Sequence, residues 1–218
     1  AVPPAPPVAA VPRASAAPAR LFDPRHRNRT IMMSVFNAAQ VVAFYGFNAW
    51  LPSLLIARGI TVTHSLEYSF LIAVSQPFGP ALGIAFADRC ERRTQILAAL
   101  VAMGGAMWLF ARLSNPAALI AVGIVFTLSA NVMSYAYHNY QAELFPTEIR
   151  ARAIGFVYSW SRLAAAFGGL AIGYLLRTGG TAAVAAFVAG AITIAFVAVG
   201  AFGPRTKDLG LEAIDRGQ

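Results

Sequence analysis

Six apolar stretches, roughly 31–57, 68–87, 94–111, 117–140, 153–176 and 181–203, govern what this chain can fold into. At a rise of 1.5 Å per residue, a helix needs about 20 largely apolar residues to cross the hydrocarbon core of a bilayer. Each stretch meets or approaches that length, with short connections at 58–67, 88–93, 112–116, 141–152 and 177–180. Of the 218 residues, 58% are hydrophobic and 12% charged, against about 25% charged in an ordinary soluble domain. The mean hydropathy is +0.61. These values argue against a water-soluble domain and for an all-α membrane protein of six transmembrane helices.

The basic residues give that bundle an orientation, because Lys and Arg concentrate in cytoplasmic loops. Thirteen fall on one side: Arg13, Arg20, Arg25, Arg27, Arg29, Arg89, Arg92, Arg93, Arg150, Arg152, Arg205, Lys207 and Arg216. Only Arg58, Arg112 and Arg177 fall on the other, which places both ends in the cytoplasm. The net charge of +8 is spread between apolar runs rather than along one stripe, so the expected partner is the lipid bilayer and not nucleic acid. A single cysteine, Cys90, leaves no intrachain disulfide and no CxxC metal site; no metal or cofactor is expected. Residues 1–30 read as a disordered Ala/Pro-rich cytoplasmic linker with a basic approach to the first helix, 31–203 as the bundle, and 204–218 as a cytoplasmic tail.

Polar residues divide the six helices. The first carries Asn37, Gln40, Tyr45 and Asn48, the second Ser69, Ser75 and Gln76, the fourth Thr127, Asn131, Ser134 and His138, and the fifth Tyr158, Ser159, Ser161 and Arg162. The third and sixth are nearly bare. Polar groups inside a membrane turn toward protein or water, so the pattern of polar, polar, bare, repeated once, predicts two three-helix repeats around a solute cavity, as transporters have.

Gln76-Pro77-Phe78-Gly79-Pro80 lies inside the second stretch. Its prolines remove backbone donors and should break the helix there. A substrate contact at Gln76 and a packing kink at Gly79 and Gly83 both fit. Arg162 lies ten residues beyond Arg152, about 15 Å into the bilayer. Such a charge costs roughly 2.5–3.5 kcal/mol to insert and calls for a partner. All nine acidic residues lie in loops or at helix ends, so an acid on another segment, a substrate anion and a local structural role all remain open. His138 reads either as a hydrogen-bonded structural residue or as a proton relay.

The loops themselves carry alternating charge. Ala87-Asp88-Arg89-Cys90-Glu91-Arg92-Arg93 resembles the DR-x-GRR loop of the major facilitator superfamily in its second copy, with Glu91 where that loop has Gly. Tyr140-Gln-Ala-Glu143-Leu-Phe145-Pro146-Thr147-Glu-Ile-Arg150 resembles the E-x-FPT-x-x-R segment between the tenth and eleventh helices of that family's sugar porters and metabolite:proton symporters. Gly203-Pro204-Arg205-Thr206-Lys207, followed by Leu211-Glu212, resembles the PETKG…LE tail, with Arg205 in place of Glu. The resemblance covers residues 21–214 and corresponds to the C-terminal half of a twelve-helix fold.

That resemblance implies a proton-coupled secondary transporter working by alternating access, with this chain as one half. The N-terminal six-helix half, which commonly holds the proton-coupling acids, would be its partner. Gln40, Asn48, Gln76, Asn131 and Arg162 are the expected substrate contacts, and Asp88, Arg89, Arg92, Arg93, Glu143 and Arg150 the expected cytoplasmic latch. Gly46-Phe-Asn48 is present, but Val42 and Ala43 stand where sugar porters carry glutamines. An organic acid is therefore favoured over the alternative of a sugar. The expected location is the plasma (inner) membrane. An enzyme is disfavoured, because His26, His64 and His138 lie at different levels. A lone six-helix protein with a structural or assembly role is the remaining alternative.

Overall fold

In the computed structural model, residues 21–87 and 90–206 are described, and every element among them is an α-helix. The expected linker at 1–20, Asp88 and Arg89 of the expected latch, and the tail from 207 lie outside the described residues. Helix α1 spans Pro24–Asn48, and Asp23 caps it by accepting from the Arg25 amide at 3.4 Å. A short break at Ala49 and Trp50 leads into α2, Leu51–Ile56. Gly59, at φ 84°, turns the chain into α3, Val62–Val74, which Thr61 caps. Then follow α4, Phe78–Ala87, α5, Arg92–Arg112, and α6, Pro116–Leu144, capped by Asn115.

The last element, α7, runs over Arg150–Phe202 and contains one non-helical residue, Gly180, at φ 64° and ψ −162°. That combination is open only to glycine. It divides α7 into a proximal arm, 150–179, and a distal arm, 181–202. The arms fold back side by side. A side chain added at Gly46 of α1 would meet Ile172 at 3.2 Å and Val188 at 3.0 Å, two residues equidistant in sequence from Gly180.

Among the described residues, four helices are long and apolar enough to cross a membrane: α1, α5, α6 and α7. The second apolar stretch departs from the expected 68–87. It begins earlier, at Val62, because Thr61 supplies a cap, and it stops at Val74 because Pro77 follows. The break at Ser75, Gln76 and Pro77 falls where the proline-rich run predicts it.

Glycines set how closely the helices approach. In α4, Gly79 lies against Asn131 and Gly83 against Tyr135, while Gly123 of α6 receives Ile72 of α3. These pairs run in the same direction along the chain, so the α3–α4 segment lies parallel to α6. Val42 against Gly168 and Trp50 against Gly173 make α1 parallel to the proximal arm in the same way. The centre is closed by Phe47, whose ring meets Phe110 edge-on at 5.1 Å and Phe126 at 4.2 Å. At the C-terminal end of α5, Arg58 donates to the carbonyls of Phe110 and Leu113 at 2.5 and 2.9 Å. It thereby satisfies acceptors that the helix end leaves open.

Large apolar side chains such as Phe70, Phe167, Leu170 and Phe202 remain exposed, each by more than 65%. A water-soluble bundle would not leave so many outside. In a bilayer the lipid tails cover them, and the helices are held together by close packing at small residues. The chain is an integral membrane protein.

Candidate functional site

A cavity of about 130 Å³ opens between three elements. Helix α1 contributes Gln40, Phe44 and Tyr45, α6 contributes Ser134, Tyr137 and His138, and the proximal arm of α7 contributes Tyr158, Ser161 and Arg162. Each set recurs at three- or four-residue spacing, so one face of each helix supplies it. Arg162 also borders a second hollow of about 240 Å³ beside Gly46, Trp50 and Gly169. It is exposed, and its Nη2 donates to the Tyr158 hydroxyl at 3.0 Å one turn back along its own helix. Its guanidinium carbon lies 5.0 Å from the centre of the Tyr158 ring. Among the described residues no carboxylate forms an ion pair with it.

On the α6 side, the His138 ring lies 4.1 Å from that of Tyr137 and 6.2 Å from that of Tyr158, measured between centres. Its Nδ1 is 3.2 Å from Gln141 Nε2. The cavity therefore combines one guanidinium, three tyrosines, an imidazole, an amide and two hydroxyls among apolar walls. Such a set orients a small polar solute and favours a negative one.

Of the five expected contacts, Gln40 and Arg162 come together here. Asn48 does not line this cavity; its Oδ1 accepts from Thr127 Oγ1 at 3.2 Å and so ties α1 to α6. Asn131 is turned against Gly79 of α4, with its amide donating to the Thr127 carbonyl at 2.8 Å. Gln76 is exposed at the break between α3 and α4 and lines neither hollow. Gly79 and Gly83 bring α4 close onto α6 at this point. Tyr137 is not among the expected contacts, although it follows Ser134 by three residues on the same polar face.

At one end of the bundle, Glu143 accepts from Arg92 Nε at 3.4 Å and from Thr206 Oγ1 at 2.6 Å. The Tyr140 hydroxyl donates to the Pro204 carbonyl at 2.7 Å, and Arg205 lies 3.8 Å from Glu91. Arg93 donates to the Gly200 carbonyl. Arg150 donates to the Phe145 carbonyl at 3.1 Å, closing its own turn rather than reaching Glu143. The segment 203–206 is thus strapped across the ends of α5 and α6.

Comparison with known proteins decides the family. The model of the Major Facilitator Superfamily matches residues 65–216. The chain belongs to this superfamily. Among the relatives of this superfamily member is YyaJ of Bacillus subtilis, named for metabolite transport, 29% identical over 189 residues, covering 87% of this chain and 42% of that protein. The inner membrane metabolite transport protein YgcS of Escherichia coli is 27% identical over 194 residues, covering 88% and 43%. The cis,cis-muconate transport protein of Acinetobacter baylyi is 29% identical over 160 residues, covering 72% and 38%. The chain spans less than half the length of these relatives, which are named as transport proteins and not as enzymes. The crystal structure of the human organic anion transporter MFSD10 (TETRAN) superposes with a TM-score of 0.61 at 16% identity, over 88% of this chain and 50% of that one. At that identity the likeness concerns the fold.

Proposed function

We propose that this chain is the C-terminal half of a secondary transporter that carries a small organic anion, coupled to protons, by alternating access. The observation that carries the reading is Arg162, an exposed guanidinium midway along the proximal arm, facing a polar cavity with no carboxylate partner among the described residues. A mid-membrane cation is costly when unpaired, and a substrate carboxylate offsets that cost. The relative in Acinetobacter baylyi named for cis,cis-muconate supports a carboxylate, since muconate is one. Helices α1–α2, α3–α4, α5, α6 and the two arms of α7 make six crossings as two three-helix repeats. The parallel pairing of the first with the fifth, and the second with the fourth, fits alternating crossings. The other half of the cavity wall is then supplied by an N-terminal six-helix half. The location is the plasma (inner) membrane with both ends cytoplasmic, as the basic residues argue and as the name of YgcS suggests.

Two measurements test this. The native polypeptide extracted from its membrane should have about twice the 23.1 kDa mass of this chain. A mass at 23.1 kDa would sink the half-transporter reading. In vesicles, the native polypeptide should take up nicotinate or muconate in preference to a hexose, and hexose preference would sink the organic-anion reading.

In this reading Asp88, Arg89, Arg92, Arg93, Glu143 and Arg150 form the cytoplasmic latch, with Glu143 at its centre. One partly exposed pair contributes only about 0–1 kcal/mol to stability, so its effect belongs to the conformational cycle rather than to folding. Glu143→Arg should slow uptake about tenfold or more, since tenfold needs only ~1.4 kcal/mol of bias between states. The reciprocal Arg92→Glu should restore part of it. Absence of rescue in the double variant, measured as initial uptake rate, removes Arg92 as the partner.

A further inference from the structure

We propose that His138, held by Gln141, is a proton-binding site whose occupancy rises when an organic anion reaches Arg162, so that one proton travels with each anion. This rests on the anion reading of the cavity and goes beyond it by placing the coupled proton in this half of the molecule. His138 and Arg162 line the same cavity and both lie against the Tyr158 ring, at 6.2 Å between ring centres and 5.0 Å from the guanidinium carbon.

The partner of His138 is what makes the site titratable. Gln141 is 3% exposed, its Nε2 faces His138 Nδ1 at 3.2 Å, and its Oε1 is buried with no partner among the described residues. A terminal amide carries a donor and an acceptor. With the imidazole neutral, the NH₂ group donates to Nδ1. After a half-turn of the amide, the oxygen accepts from the Nδ1–H of the imidazolium. Both protonation states are therefore hydrogen-bonded. A carboxylate in that place would hold the ring charged, and a lysine would hold it neutral.

The remaining balance falls to the titratable and charged groups that line the cavity with the ring. These are the phenols of Tyr45 from α1, Tyr137 from α6 itself and Tyr158 from the proximal arm, with the Arg162 guanidinium beside the last. Arg162 is the one cation among them and opposes a second positive charge. A carboxylate on Arg162 cancels that opposition, and the imidazole nitrogen then takes a proton from water on the loading side, forming an N–H bond. When the anion leaves on the far side, the proton returns to water there. The cavity carries the same net charge empty and loaded, and the substrate is chemically unchanged. By linkage, protonation raises anion affinity by the same factor by which the anion raises proton affinity.

The test uses the native polypeptide in liposomes with nicotinate as the probe anion. Nicotinate affinity should fall about tenfold as pH rises through the titration of the His138 imidazole, and uptake should draw protons from the medium. His138→Gln should bind nicotinate with an affinity that no longer changes with pH and should take up no protons. Gln141→Glu, which holds the imidazolium, should move the loss of affinity to higher pH. Retained pH dependence and proton uptake in His138→Gln overturn the proposal, as does an unmoved midpoint in Gln141→Glu, which decides the matter if the first variant does not fold. Failure of Arg162→Gln to weaken nicotinate binding would instead overturn the cavity reading beneath it.

Discussion

Replacing Arg162 with Gln should abolish organic-anion uptake while leaving the fold intact. Its described hydrogen bond and ring contact are both to Tyr158 on the same helix, so its removal breaks no described hydrogen bond between helices. Exposed positions of this kind usually shift stability by less than about 0.5 kcal/mol. Transport is another matter, because the guanidinium is the one positive group lining the cavity. Losing one partner of a desolvated charge pair costs about 2–5 kcal/mol, equivalent to roughly 30- to several thousand-fold in affinity. Arg162→Lys keeps the charge but loses the two-pronged donor geometry, and should fall between wild type and Gln. Initial uptake of labelled nicotinate, with melting temperature measured in parallel, separates the two effects. Full uptake by Arg162→Gln would end the organic-anion reading.

The second large effect is on assembly. A methyl group added at Gly79 would lie 2.3 Å from Asn131 Cβ and 3.3 Å from the Leu128 carbonyl oxygen, neither of which is the end of a flexible side chain. Gly79→Ala must therefore push α4 away from α6. Overpacking of this kind costs about 1–3 kcal/mol, and each kcal/mol lowers the melting temperature by roughly 2–4 °C in a chain of this size. Alanine also favours a helix over glycine by about 1 kcal/mol, which works in the opposite direction. Gly105→Ala isolates that gain, since nothing lies within 4 Å of its added methyl. Gly79→Ala should melt several degrees below wild type and Gly105→Ala at or above it. Equal melting of the two would show that the close α4–α6 approach does not hold the bundle together.

Much of the architecture could be read from residues alone. Apolar length set the membrane-spanning stretches, and Pro77 and Pro80 marked the break that separates α3 from α4. Glu143 and Arg92 were singled out from charge pattern and resemblance, and they meet at 3.4 Å. Arg162 stood out because no acid in the chain lay at its depth. Arg150 was legible as a charge but not as a residue that closes its own turn on Phe145. The motif at 203–207 was legible, but its strap across Glu143 and Tyr140 was not, since it joins residues more than sixty positions apart.

Hydropathy and spacing report how each segment partitions between lipid, water and protein, and this is a local property. They determined that the chain enters a membrane, roughly where it does so, and which helix faces are polar. They could not determine which polar faces look at one another, because the rotation of a helix is decided by what packs against it. Gln76 and Asn131 were as polar as Gln40, yet Gly79 and Gly83 let α4 sit so close to α6 that Asn131 packs on that contact, and neither residue lines the hollow that Gln40 shares with Arg162. Tyr137 and His138 reach Arg162's cavity because α1 and the proximal arm, in contact at Gly46 and Gly168, present Gln40 and Tyr158 to the same face of α6. The polar groups themselves were written in the sequence; close contacts between distant glycines chose which of them share a site.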